Sequence, residues 1–184
     1  MIDLAYQGLG QGWVEDVEGV RTVLDHCETV LIAYSCDKNF GLYRERTGAL
    51  FYGAGPYLDR IRSNLLMLAR CNWSMPPDHG AAVVREILTD PPLRITWSDE
   101  LSRARRRLRE VRQGLAARTG LKAIAAQNGL FSLLPLTADQ VGELQGKHAI
   151  YMAANGRANL AGLDARSLPR FAAALDAVGW REGA

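Results

Sequence analysis

"AYSCDKNFGLYRERTGAL" occupies residues 33–50 and sets a single lysine, Lys38, just beyond an apolar run. That run, "TVLIAYS" from Thr29 to Ser35, reads as a buried strand, so Lys38 is expected where an interior strand gives way to a turn. A structural lysine sits on a solvated surface, whereas an amine at a buried strand end loses hydration, which favours its neutral, nucleophilic form. Downstream, "TGALFYG" reads as a second strand, and upstream "VEDVEGVRTVLDHC" spaces Val14, Val17, Val20 and Leu24 at helical intervals. Alternation of strand, helix and strand predicts an α/β fold with a largely parallel sheet.

Working outward, "MIDLAYQG" reads as the end of an interior strand that runs straight into the glycine-rich turn "GLGQG", an abrupt opening for a domain. On the other side, a helix is expected from Pro56 to Arg70 with Leu58, Ile61, Leu65 and Leu68 on one face. "NWSMPPDHG" interrupts it, since two prolines cannot continue a helix, and "GAAVVREILTD" supplies the next one up to "DPP". A long helix is expected from Ser98 to Arg118, buried along Leu101, Ala104, Leu108, Val111 and Leu115. Beyond Gly120 the pattern shortens. Strands are expected at Gly129 to Leu134, Ala149 to Ala153 and Arg157 to Ala161. A helix opens at the "TADQ" capping box, and "LPRFAAALDAV" forms a closing helix. Two lobes follow, roughly 1–105 and 106–184, joined by the long helix.

At 184 residues, 48% hydrophobic and 23% charged, the composition is that of a folded globular chain. A net charge of +2 does not by itself call for a polyanionic partner. Cys27, Cys36 and Cys71 leave an odd thiol without CxxC spacing, which argues against a disulfide framework or a metal site and for a reducing cytoplasm. No apolar run reaches the length of a membrane span, and no cleavable leader is visible at the start.

"SCDKNFGLYRERTG" resembles the lysine segment of the fold-type I pyridoxal-phosphate aminotransferases, in their aspartate and aromatic amino-acid branch. "DLAYQG", "RCNWSMPPDHGA", "QNGLFSLLPL" and "IYMAANGRANLAGL" resemble the same branch in the same order, so the likeness covers nearly the whole chain. It implies the C-terminal part of a large domain with a mixed sheet and flanking helices, a linking helix, and a small α+β domain. It also implies transamination between an aromatic or dicarboxylic amino acid and a 2-oxo acid, with pyridoxal 5'-phosphate as cofactor and a homodimer as the assembly.

By the same resemblance Lys38 would condense with the cofactor aldehyde and carry protons. Asp3 would pair with the pyridine nitrogen and Tyr6 would donate to the phenolic oxygen. Ser35 and Arg46 would hold the phosphate, Arg157 would clamp the substrate carboxylate, and Phe131 would line the substrate pocket. Arg70 matches the arginine that reaches across the dimer interface to a dicarboxylate side chain. The family's chain is roughly twice as long, and its upstream half carries a phosphate-cradling loop and a ring-stacking aromatic. Asp37 stands where the family usually has a serine on the phosphate. A carboxylate about 4 Å from a phosphate would be repelled by roughly 4 kcal/mol per charge pair at an effective dielectric near 20, before screening by Arg46 and solvent.

Two other readings compete. "GLGQG" follows a strand and precedes a helix as a dinucleotide fingerprint does, although its third glycine comes one residue early and the next strand ends in serine rather than an acid. "RARRRLREVRQGLAAR" lies in a stretch, Ser98 to Arg118, with seven arginines against three acids, a local net of +4 that could track nucleic-acid phosphates. The commoner explanation is long charged side chains on the outer face of a linking helix, and no nucleic-acid or membrane partner is expected.

Overall fold

A computed structural model of the chain describes residues 1–53 and 57–180. They divide into two compact units, Met1–Ser102 and Arg103–Ala184. In the first unit β1 (Ile2–Leu4) lies parallel to β2 (Leu31–Ser35), and β3 (Gly48–Tyr52) pairs antiparallel with the other edge of β2. The sheet is therefore mixed, with order β1-β2-β3, rather than largely parallel. The reason is local: α1 (Glu18–His26) provides the crossover that a parallel pair needs, whereas residues 36–47 between β2 and β3 carry no helix.

One face of this sheet is apolar and covered. Val20, Val30 and Ile32 are buried together, with Ile2, Leu4, Val17 and Val23 packed against them. The stripe of α1 differs from the expected one, because Val14 and Leu24 are exposed. A 3-10 turn at Glu15–Val17 precedes α1 and shifts the helical phase, so Val23 rather than Leu24 turns inward.

The glycine-rich turn is closed on itself. Asp16 accepts hydrogen bonds from the backbone N–H groups of Gly8 (2.8 Å), Gly10 (2.9 Å), Gln11 (2.7 Å) and Gly12 (3.4 Å). Backbone amides converging on one point form an anion-binding concavity, and the chain fills it with its own carboxylate. That occupant removes the structural basis of the dinucleotide reading.

α2 (Leu58–Trp73) has no buried residue, and Leu58, Leu66, Met67, Leu68 and Trp73 are exposed. The expected start at Pro56 lies outside the described residues. α2 and β3 together line an open groove of about 630 Å³, with Leu50, Tyr52, Ile61 and Leu65 among its walls. α3 (His79–Thr89) is followed directly by α4 (Pro91–Thr119), which starts one turn and more before the expected Ser98. Asp90 accepts from the N–H of Leu93 at 2.9 Å, and the two prolines sit in the first turn, where no intrahelical donor is required. "DPP" thus starts a helix as well as ending one. Among the expected inward positions Leu101, Leu108, Val111 and Leu115 are buried, while Ala104 is exposed.

The second unit packs the end of α4 with α5 (Lys122–Ala126), β4 (Phe131–Leu133), α6 (Ala138–His148), β5 (Arg157–Asn159) and α7 (Ser167–Ala177). Leu115, Leu144 and Leu160 are fully buried at its centre. β4 and β5 pair antiparallel, Ser132 opposite Ala158. Thr137 and Gln140 form the expected capping box at the start of α6.

The expected strand at Ala149–Ala153 is absent. Ala149 adopts a left-handed φ of 52° to end α6, Ile150 N–H returns to Leu144 O at 3.1 Å, and residues 153–156 close a tight turn. Gly156 is required there, since a Cβ would stand 2.3 Å from Leu134 O. Among the described residues no helix is long and apolar enough to cross a membrane.

Candidate active site

Lys38 lies in the connection that leaves the C-terminal end of β2, and its neighbours on both sides are fixed. Cys36 N–H donates to Thr47 O at 2.9 Å and closes the base of the loop. Asn39 donates through Nδ2 to Gln7 O (3.2 Å) and to the Tyr34 hydroxyl oxygen (2.7 Å). Trp97 Nε1–H donates to Asn39 O at 2.8 Å, and its ring stacks on Phe40 at 4.7 Å with planes 8° apart. Trp13 meets the same indole edge-on at 5.0 Å. Sequence periodicity singled out none of Asn39, Phe40 or Trp97 as support for the lysine. The adjacency of "NF" to Lys38 was the only available signal.

The Lys38 ammonium nitrogen stands 5.7 Å from the Tyr6 ring centroid and 5.8 Å from that of Tyr43, and the side chain is 21% exposed. Two aromatic faces and limited water make this a partly desolvated amine. Tyr43 was not anticipated. Two titratable groups of β2 and the turn beyond it are shifted. Burial pushes the Tyr34 phenol up to about 12 against the relief given by Asn39, and burial, then the Asp37 charge, pushes the Cys36 thiol up.

Asp37 is 4% exposed. Arg46 Nη1 donates to its Oδ2, and Lys38 Nζ lies 3.8 Å from the same oxygen. Arg46 holds a left-handed backbone, φ 53°, a conformation that L side chains pay to adopt. Its Nη1 also donates to Tyr43 O at 3.1 Å. Ser35 Oγ accepts from the Asp37 N–H at 3.2 Å.

Asp3 is exposed on β1 opposite Ala33. Paired positions in a parallel ladder share a face, so Asp3, Ala33 and Ser35 lie on the side away from Ile2, Leu4 and Ile32. Asp3 and Ser35 thus share a face of the β1–β2 pair, while Tyr6 and Lys38 follow its carboxyl ends. Strand carboxyl ends are where open α/β sheets bind ligands.

The second unit brings together two further expected residues. The Arg157 guanidinium sits 3.9 Å over the Phe131 ring, the two being diagonal neighbours across β4 and β5. Arg70 is exposed near the end of α2, in the first unit.

The arginine-rich stretch is not uniformly an outer face. Arg112 is 2% exposed and donates to the carbonyl oxygens of Gly129, Phe131, Asn128 and Ile124 and to Ser132 Oγ. Burial pushes its guanidinium below its ordinary value. Arg107 donates to Ala161 O and Leu163 O. Arg107 and Arg112 therefore tie α4 to the rest of the second unit.

Residues 1–175 match the family model described as aminotransferase class I and II. A tyrosine aminotransferase of Rhizobium meliloti is 52% identical over 170 residues, covering 89% of this chain and 44% of the relative. An aspartate aminotransferase of Escherichia coli is 37% identical over 187 residues, covering 97% and 47%. A solved structure of an aromatic-amino-acid aminotransferase from Burkholderia pseudomallei, covalently bound to pyridoxal phosphate, superposes with a TM-score of 0.89 at 38% identity, covering 96% of this chain and 46% of that one. The chain thus spans about half the length of the curated relatives it matches. With a mixed α/β fold, a lysine loop at the strand ends and a family match across 175 of its residues, the chain belongs to the class I and II aminotransferases.

Proposed function

We propose that this chain carries the lysine-bearing portion of a pyridoxal-dependent transaminase site. The observation that carries the reading is Lys38, held between Tyr6 and Tyr43 beyond β2 while Asp3 and Ser35 share one sheet face. The established chemistry of such a cofactor, when bound, is an aldehyde that exchanges amines and a ring that takes up electrons. Lys38 fits the aldehyde end as a partly desolvated amine. Asp3 fits the ring nitrogen, and Tyr6 fits the phenolic oxygen. The phosphate end fits poorly, because Arg46 is engaged by buried Asp37.

In the second unit Arg157 would receive the α-carboxylate of the substrate, with its guanidinium lying 3.9 Å over the Phe131 ring. Arg70 would receive the side-chain carboxylate of a dicarboxylic substrate across a homodimer. The substrates on this reading are aromatic or dicarboxylic amino acids and 2-oxo acids. A reducing cytoplasm suits the three free thiols Cys27, Cys36 and Cys71. By itself the chain would be weakly active or inactive, and the Asp37–Arg46 pair favours the second outcome, a family member acting as a folding or interaction module.

The test is covalent trapping. The full chain is incubated with pyridoxal or pyridoxal 5'-phosphate, reduced with borohydride and peptide-mapped. Label is expected on Lys38 and absent from Lys38→Ala. Equal labelling of the two proteins, or label only on Lys122 and Lys147, would remove the assignment. Size-exclusion chromatography showing a compact monomer already loaded with cofactor would contradict the dimeric, weakly active or inactive reading.

A further inference from the structure

Asp37 is a buried carboxylate with three unusual features. Its Oδ2 is shared by Arg46 Nη1 and by Lys38 Nζ at 3.8 Å, its Oδ1 is buried with no hydrogen-bond partner among the described residues, and its own N–H donates to Ser35 Oγ. Of the two residues of this chain that family resemblance assigns to a phosphate, Arg46 is bonded to Asp37 through Nη1, and Ser35 Oγ accepts from the Asp37 N–H while its own O–H remains a donor. Arg46 is held to this arrangement by a left-handed backbone and a bond to Tyr43 O.

We infer that Asp37 is an internal anion that takes the place of a ligand phosphate, so that the lysine site accepts carbonyl compounds lacking a phosphate ahead of phosphate-bearing ones. Two routes are open to an incoming phosphate, and both are unfavourable. Displacing Asp37 from Arg46 leaves a buried carboxylate with one oxygen unpaired and only Lys38, at 3.8 Å, beside the other. Binding beside it brings a second anion to a cluster in which Arg46 and Lys38 already share Asp37 Oδ2. A pyridoxal-type aldehyde without phosphate disturbs neither Arg46 nor Ser35. The inference deepens the proposed lysine site and rests on it for the carbonyl ligand. Its phosphate half stands on the Asp37 geometry alone.

The experiment uses inorganic phosphate and two aldehydes on the full chain, with Asp37→Ser and the near-isosteric Asp37→Asn checked for folding by far-UV circular dichroism. Thermal melts across a phosphate series at constant ionic strength are expected to show no specific shift for the parent and a saturable rise for both variants. The implied gain in phosphate affinity is about tenfold or more. The double variant Asp37→Ser, Arg46→Gln should lose the gain. In parallel borohydride trapping, pyridoxal should label the parent at least as well as pyridoxal 5'-phosphate, and Asp37→Ser should reverse that order.

An identical phosphate response in parent and Asp37 variants, or a gain that survives loss of Arg46, overturns the inference. Lys38 unlabelled by either aldehyde overturns the carbonyl reading alone, since the phosphate melts report on Asp37 and Arg46 without it.

Discussion

Replacing Arg112 with methionine tests whether the second unit is organised around a buried cation. The substitution keeps an unbranched apolar stem and removes the guanidinium, which makes donations at 2.7 Å to Gly129 O and Ser132 Oγ, 2.8 Å to Phe131 O, 3.2 Å to Asn128 O and 3.4 Å to Ile124 O. Five acceptors lose a partner. Gly129, Asn128 and Phe131 belong to half-buried or exposed residues and can recover water, whereas Ile124 and Ser132 are buried, and Ile124 O keeps the Gln127 N–H at 3.3 Å. Ser132 keeps one bond by donating to Gln127 Oε1 at 2.7 Å. Each hydrogen bond from a charged donor contributes about 1.5–3 kcal/mol, and the relieved desolvation of the cation offsets much of the total.

The expected net loss is about 3 kcal/mol for Arg112→Met and about half that for Arg112→Lys, which keeps the charge but not the planar fork. In urea melts followed by far-UV circular dichroism, the transition of this unit should move down by roughly 1–2 M. Amide exchange over residues 127–134 should accelerate, because the guanidinium ties that segment to α4. A methionine variant as stable as its parent to within about 0.5 kcal/mol, with unchanged exchange over those residues, would show that the carbonyl cluster does not depend on this cation.

Two further outcomes are expected. Asp16→Ala should lower stability by about 2 kcal/mol, since four backbone N–H groups lose a charged acceptor, with Asp16→Asn falling between; a thermal midpoint unchanged in the alanine variant would refute the self-filled turn. Tyr34 holds its proton to about pH 12 in the folded chain against 10.0 when unfolded, so the unfolded state releases it first. The stability it contributes is complete below pH 10 and declines between pH 10 and about 12. Urea midpoints across that interval should fall more steeply for the parent than for Tyr34→Phe, and parallel slopes would count against it.

What the sequence determined by itself was what depends on neighbours a few residues apart. The capping box at Thr137 and Gln140, the apolar strand ahead of Lys38 and the inward stripe Leu108, Val111, Leu115 all follow from spacings of two to four residues. The lysine motif also placed Lys38, Tyr6 and Asp3 in order along the chain. Tertiary structure decided the rest, because it turns on partners that no local spacing announces. β3 could have run either way until the loop from β2 proved to have no crossover helix. "GLGQG" looked ready for a ligand anion until Asp16 folded back into it. Arg112 and Arg107 look like their solvated neighbours in sequence and differ only in which carbonyls the fold brings to them. Asp37 and Arg46 stand nine positions apart, and Arg46 itself takes a left-handed backbone to meet Asp37: charge complementarity was visible in the sequence, but the geometry that consumes it was not.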